Sequence, residues 1–278
     1  VQLRSRRLIT GDLLGNYRSA FRGSGLVFSD LRAYQPGDDI KHIHWKATAR
    51  TGTVFVKSYE EDRQLRVLLV IDTSASMRAA VGVQAYTKAI EFCSLIGSLT
   101  QRGNDLLGLL LFGEKPGEFL PPKAGPKRLA RILAAVMRAD PTGESRTDMT
   151  KALEYVATSV RKPSIVFVIS DFECPPFSDA LKKALVRHDV ILTHIQPPLT
   201  TLPALGLVTF RDAETGEVCV VDTRSRSVQR SWAQALERRK NVVKTLAKQC
   251  GADHIVITES CAQPLIHLMK ERVQRLSR

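Results

Sequence analysis

Val67-Leu68-Leu69-Val70-Ile71-Asp72-Thr73-Ser74-Ala75-Ser76 is an apolar run that ends on a carboxylate and passes at once into small hydroxyl residues. An apolar run without alternation is the pattern of a strand covered on both faces, as in a parallel sheet. Ile165-Val166-Phe167-Val168-Ile169-Ser170-Asp171 repeats it. Around these two lie strand patterns over 106–112 and 190–195 and helical patterns over 83–102, 126–138, 148–161 and 177–187, with a last long helix at 228–249, a strand at 254–258 and a helix at 264–276. Strands alternating with helices predict an α/β fold, a doubly wound, mostly parallel sheet with helices on both faces.

Residues 1–64 have another texture: Gly-rich turns and the β-prone run Thr53 to Tyr59 predict a small β-rich N-terminal segment, with the α/β domain occupying 65–278. Within that domain, Leu207 to Arg211 and Val218 to Asp222 flank Glu214-Thr215-Gly216, which predicts a late β-hairpin insertion at about 206–223. Cys93, Cys174, Cys219, Cys250 and Cys261 are odd in number and lack a Cys-x-x-Cys pair, so neither a disulfide framework nor a zinc site is expected. Reduced thiols and a cytoplasmic location are the expectation. No apolar stretch approaches the ~20 residues of a membrane span.

Lys and Arg number 41 against 28 Asp and Glu, a formal charge of +13. Such a chain favours anionic partners without choosing among nucleic acid, acidic lipid and acidic protein. The basic residues are spread, at Arg4, Arg6 and Arg7, at Lys123, Lys127, Arg128 and Arg131, and at Arg238, Arg239, Lys240, Lys244 and Lys248, which reads as solvated helix faces. With only two Trp and five Tyr for base stacking and no named nucleic-acid motif, nucleic-acid binding stays the alternative and not the favoured reading.

Function in an open parallel sheet gathers at the carboxyl ends of the strands, where strand order reverses. Asp72 and Asp171 both stand at that edge. Alternate residues of an extended turn project the same way, so Asp72, Ser74 and Ser76 converge. Hard oxygen donors with few carboxylates suit one Mg²⁺ or Mn²⁺, which keeps waters and an open coordination position. The same residue types would also serve as a strand end and helix cap.

Asp72-Thr73-Ser74-Ala75-Ser76 resembles the metal-ion-dependent adhesion site of von Willebrand factor type A domains. The resemblance implies that Thr147, in Ser145-Arg146-Thr147-Asp148, and Asp171 complete the ligand set, and that a partner's acidic side chain becomes a further ligand; Arg146 stands where that family usually has Gly. The stretch Arg32-Ala33-Tyr34-Gln35-Pro36-Gly37-Asp38-Asp39-Ile40-Lys41-His42-Ile43-His44-Trp45-Lys46-Ala47-Thr48-Ala49-Arg50 resembles the signature of the bacterial domain of unknown function 58 family. Members of that family pair a small β-rich N-terminal part with an A-type domain and are typically encoded beside MoxR-type AAA+ ATPases. The resemblance implies a metal-dependent protein-binding adaptor of such an ATPase, in a chaperone-like or complex-maturation role.

Asp38, Trp45 and Arg50 are expected to tie the β-rich segment to the α/β domain or to form a partner surface, and His42-x-His44 to belong to a structural turn. A metal-dependent phosphohydrolase is disfavoured, because Ser74 stands where haloacid-dehalogenase-type phosphatases carry a second Asp. Neither a nucleophile elbow nor a phosphate-binding loop is present, so no enzyme is expected.

Overall fold

The computed structural model describes residues 15–17, 19–21, 26–35, 38, 43–61, 64–78, 83–139, 147–196, 202–211 and 216–276. Arg4, Arg6, Arg7, Pro36, Gly37, His42, Arg146 and the hairpin turn at 212–215 lie outside the described residues.

Arg22–Leu65 forms a unit of its own. In it β1 (Leu26–Ala33) pairs antiparallel with β2 (Phe55–Glu61), and between them lies a helix, α1 (Trp45–Thr51). The helix was not expected from a segment read as β-rich. It starts where His44 Nδ1 accepts the Ala47 N–H at 3.1 Å, an imidazole in the role usually taken by Ser, Thr, Asp or Asn.

The second unit begins with the described residues up to Phe21 and resumes at Arg66. Its elements are β3 (Arg66–Asp72), α2 (Ala75–Arg78), α3 (Val83–Gly103), β4 (Leu106–Phe112), β5 (Pro116–Lys123), α4 (Arg128–Arg138), α5 (Met149–Ser159), β6 (Ile165–Ser170), α6 (Ser178–Leu185), β7 (Asp189–Ile195), β8 (Leu207–Arg211), β9 (Val218–Asp222), α7 (Arg226–Cys250), β10 (Asp253–Ile257) and α8 (Ala262–Leu276). The large sheet has the order β10-β7-β6-β3-β4-β5, parallel throughout except for β5. The doubly wound, mostly parallel α/β fold expected from the sequence is the observed one.

Period-two alternation sorts the strand side chains onto two faces. Leu68, Val70, Val166, Val168 and Leu192 pack with Leu153 and Val156 of α5, Leu181 of α6 and Val243 and Ala247 of α7. On the other face Phe167 meets Phe92 of α3 at 5.6 Å between ring centroids and Phe21 at 6.0 Å. Each fully buried aliphatic or aromatic side chain contributes about 1.5–3 kcal/mol. These contacts also correct the boundary expected at residue 64: the described residues before Phe21 belong with the α/β unit, because Tyr17 and Phe21 are buried in its core.

β5 carries Pro121 and Pro122 and was not anticipated as a strand; it lies at the sheet edge, where a missing N–H is tolerated. Arg128, read as a solvated charge, is half-buried and donates Nε to the Leu107 carbonyl at 2.8 Å. β8 and β9 form the expected hairpin, a separate two-stranded sheet. α7 ends at Gly251, whose φ of 81° is the left-handed conformation that closes helices. Among the described residues no helix is long and apolar enough to cross a membrane.

Candidate functional site

Strand order reverses beside β3, since β4 lies on one side of it and the later strand β6 on the other. The carboxyl ends of β3 and β6 therefore frame the switch-point crevice. Register places Ile71 opposite Ile169, which brings the next residues, Asp72 and Ser170, side by side.

Asp72 is wholly buried. Its Oδ1 accepts the Ser74 N–H at 2.9 Å, and its Oδ2 accepts the Ser170 hydroxyl at 2.6 Å. The Thr147 hydroxyl lies 3.5 Å from Oδ2. Ser74 Oγ and Ser76 Oγ are 3.1 Å apart, and the Ser76 hydroxyl donates to Asp171. Asp171 Oδ1 also accepts the Glu173 N–H at 3.0 Å. All five residues singled out from the sequence, Asp72, Ser74, Ser76, Thr147 and Asp171, thus gather at one point.

Local folding explains how each arrives. Thr73 donates both its N–H and its hydroxyl to the Phe112 carbonyl, at 2.8 and 2.9 Å, which fixes the turn between Asp72 and Ser74. The Asp148 N–H reaches the Gly113 carbonyl at 3.0 Å, and the Asp148 side chain caps α5 by accepting the Lys151 N–H at 3.1 Å; Thr147 is thereby carried to the edge. Phe172 has φ of 56°, an uncommon left-handed conformation for an aromatic residue, and its N–H donates to Ser170 Oγ at 2.9 Å. Ser170 is the member that sequence reasoning missed. Its signal was present, because parallel pairing of the two Asp-terminated strands sets it next to Asp72.

Among the described residues neither Asp72 nor Asp171 is in a salt bridge. Burial, and then the charge of Asp171, push the Asp72 carboxyl up to about 7 against the opposing hydrogen bonds of Ser170 and Ser74. Burial also raises Asp171, although the Glu173 N–H, the Ser76 hydroxyl and the charge of Arg239 pull the other way. Arg239 is itself paired with Glu173. Two buried carboxylates ringed by hydroxyls fit a hard divalent ion, which would neutralise the excess charge and accept oxygen from all five side chains.

Asp38, Trp45 and Arg50 belong to the Arg22–Leu65 unit. Asp38 accepts two hydrogen bonds from the Arg32 guanidinium, at 2.8 and 2.6 Å, and one from the Gln35 N–H at 2.9 Å, so it serves its own segment. The Arg32 contact, then that of Gln35, hold its carboxyl below the usual range. Trp45 is 66% exposed, and Arg50 is exposed in the last turn of α1, where positive charge suits the helix end.

A doubly wound sheet whose switch point gathers two buried aspartates and a ring of hydroxyls defines the class. The chain belongs to the family described as "Protein of unknown function DUF58", whose match spans residues 30–242. It is 28% identical over 259 residues to "Uncharacterized protein Rv1480" of Mycobacterium tuberculosis (strain ATCC 25618 / H37Rv), covering 91% of this chain and 80% of that protein. "Uncharacterized protein Mb1516" of Mycobacterium bovis is likewise 28% identical, with the same 91% and 80% coverage. Among solved structures it is similar to the conserved hypothetical protein BatB from Bacteroides thetaiotaomicron, with TM-score 0.49 and 18% identity over 76% of this chain and 99% of that one. A von Willebrand factor type A protein from Catenulispora acidiphila has TM-score 0.40 and 15% identity over 80% of this chain and 43% of that one.

Proposed function

We propose that the chain is a metal-dependent protein-binding adaptor. The carrying observation is the convergence of Asp72, Ser74, Ser76, Thr147 and Asp171 on one buried point at the switch-point edge, with both carboxylates shifted towards protonation. Those residues would hold one Mg²⁺ or Mn²⁺, directly or through water. Bound there, the ion supplies positive charge and an open position for a carboxylate from a partner protein.

The chain's own residues do the rest. Ser170 and the Ser74 N–H hold Asp72 in place, Glu173 orients Asp171, and the basic surface steers acidic partners. The reading is one of binding without turnover, in the cytoplasm. Its named partner, a MoxR-type AAA+ ATPase, rests on the family resemblance of the stretch from Arg32 to Arg50.

The test is biolayer interferometry of the purified chain against a MoxR-type ATPase from the same source, in Mg²⁺ and in chelator, with Asp72→Ala as control. Binding by wild type in Mg²⁺ alone supports the adaptor. Binding retained by Asp72→Ala contradicts it. Steeply salt-dependent retention of DNA or RNA that ignores Asp72 favours a basic nucleic-acid binder instead.

A further inference from the structure

The outer part of α7 does not serve the sheet. The two fully buried residues of this helix, Val243 and Ala247, lie in its C-terminal half. The helix descends to Gly251 and the start of β10 at the amino edge, and Arg239 meets Glu173 at the carboxyl edge. Residues Arg226 to Arg238 therefore continue past that edge for about 20 Å at the helical rise per residue.

The β8–β9 hairpin rides on this extension. Phe210 lies 6.5 Å from the Trp232 ring, and the Gln229 side chain donates to the Thr223 carbonyl at 3.0 Å. Directly opposed residues of an antiparallel pair share a face. Thr209 with Val220 and Leu207 with Asp222 thus form the face turned away from Phe210. Leu207, Val218 and Val220 are 79%, 58% and 65% exposed.

Among the described residues β8 and β9 pair only with each other, which leaves one edge of each strand unpaired, and β9 carries no proline and a single charge, Asp222 at its end. In the residues that follow it Arg224, Arg226 and Arg230 are exposed, three guanidinium groups against the exposed Glu217 and Asp222 at the two ends of the strand. Free edge, β-branched surface and flanking guanidinium groups are complementary to an extended segment that alternates acidic and apolar residues.

We infer that this arm is a docking surface for a partner protein, which adds an acidic, β-branched segment to β9 as a third strand. The inference rests on the metal reading for one point only, that the same partner presents a carboxylate at the neighbouring edge. Main-chain pairing with β9 supplies affinity, Val218 and Val220 supply the apolar contact, and Arg224, Arg226 and Arg230 select for acid.

The test uses the full chain in Mg²⁺ and fluorescein-labelled peptides of about ten residues, a generous strand length, alternating Glu and Val, Lys and Val, or Glu and Ser. Fluorescence anisotropy is expected to show the Glu/Val peptide binding at least about tenfold more tightly than the other two. Val218→Ser with Val220→Ser should remove about tenfold of that affinity while leaving the thermal unfolding curve in place. N-methylating the peptide on alternate residues should abolish binding in one phase and spare it in the other.

Equal binding of the Glu/Ser peptide, full binding by the double serine variant, or indifference to N-methylation in both phases overturns the proposal. So does capture by phosphatidylserine vesicles, or self-association through Val218 and Val220, with no peptide bound. Chelator and Asp72→Asn separate the two readings: peptide binding that ignores both but needs Val218 and Val220 upholds the arm without the metal centre. Mg²⁺-dependent partner binding that survives the serine variants upholds the centre without the arm.

Discussion

The two edges of the large sheet each carry a pair of aspartates, and they are treated oppositely. At the amino edge Arg272 donates to Asp253 at 2.6 Å and to Asp189 at 2.8 Å, Arg275 adds a contact to Asp253 at 2.9 Å, and the Arg272 guanidinium lies 4.8 Å from the centre of the Phe21 ring. At the carboxyl edge Asp72 and Asp171 receive hydroxyls and backbone N–H groups. A carboxylate pair clamped by its own arginines stabilises the fold; a buried pair left with hydroxyls is prepared for a cation from outside the chain.

The largest expected effect of a substitution at neutral pH breaks the clamped edge. Arg272→Ala leaves Asp189 without an arginine, leaves Asp253 with Arg275 alone and takes the guanidinium off the Phe21 ring, so urea unfolding should show a loss of about 2 kcal/mol. A wild-type midpoint would show that the amino-edge ion pairs contribute nothing.

Between the edges lies a third arrangement, in which buried titratable groups stay neutral. Burial, then the charges of His254, Arg239 and Lys240, lower His194 to about 3; burial and the charges of Lys244 and Lys240 lower His254 to about 4. Both folded values lie below the ordinary 6.5, so these rings bind more protons in the unfolded chain between about 4 and 6.5, and their contribution to stability falls as pH falls through that window, while the raised Asp72 carboxyl works the other way. The loss from this source by pH 4.5 should be roughly 2–3 kcal/mol for each ring, so about half of it should disappear in His194→Leu. Identical pH profiles for the two proteins would remove the histidines from the account.

Asp72→Asn should act with the opposite sign to Arg272→Ala. In metal-free protein it removes a repelled, buried charge and keeps an oxygen for the Ser74 N–H, with the amide N–H donating to Ser170 Oγ where the carboxylate had accepted from it, so stability should rise by about 1 kcal/mol. A fall comparable to that of Arg272→Ala would mean that the two edges are built alike. The smallest change in stability is expected for Thr147→Ala, whose long contact with Asp72 contributes little to the fold. It should weaken Mg²⁺ affinity about tenfold and leave the unfolding midpoint in place; unchanged affinity would drop Thr147 from the ligand set.

The contrast between the edges was half legible in the sequence. Two apolar strands ending on Asp72 and Asp171 placed the carboxyl-edge pair, because an unbroken apolar run fixes where a strand leaves the core. The amino-edge clamp was invisible, since Asp189, Asp253 and Arg272 belong to β7, β10 and α8 and meet only through sheet order. Ser170 was overlooked for a related reason: its role comes from register with β3. β5 was hidden by Pro121 and Pro122, which argue against a strand unless the strand is known to be an edge. Helix α1 is too short for an apolar period to show, and its cap is His44.

The most direct test of the account is isothermal titration of Mg²⁺ and Mn²⁺ into metal-stripped protein, with thermal unfolding followed in parallel and Asp72→Asn as control. One ion per chain is expected, with a rise in unfolding temperature that grows with ion concentration, both lost in the variant. No binding by wild type, or equal binding by Asp72→Asn, would contradict it.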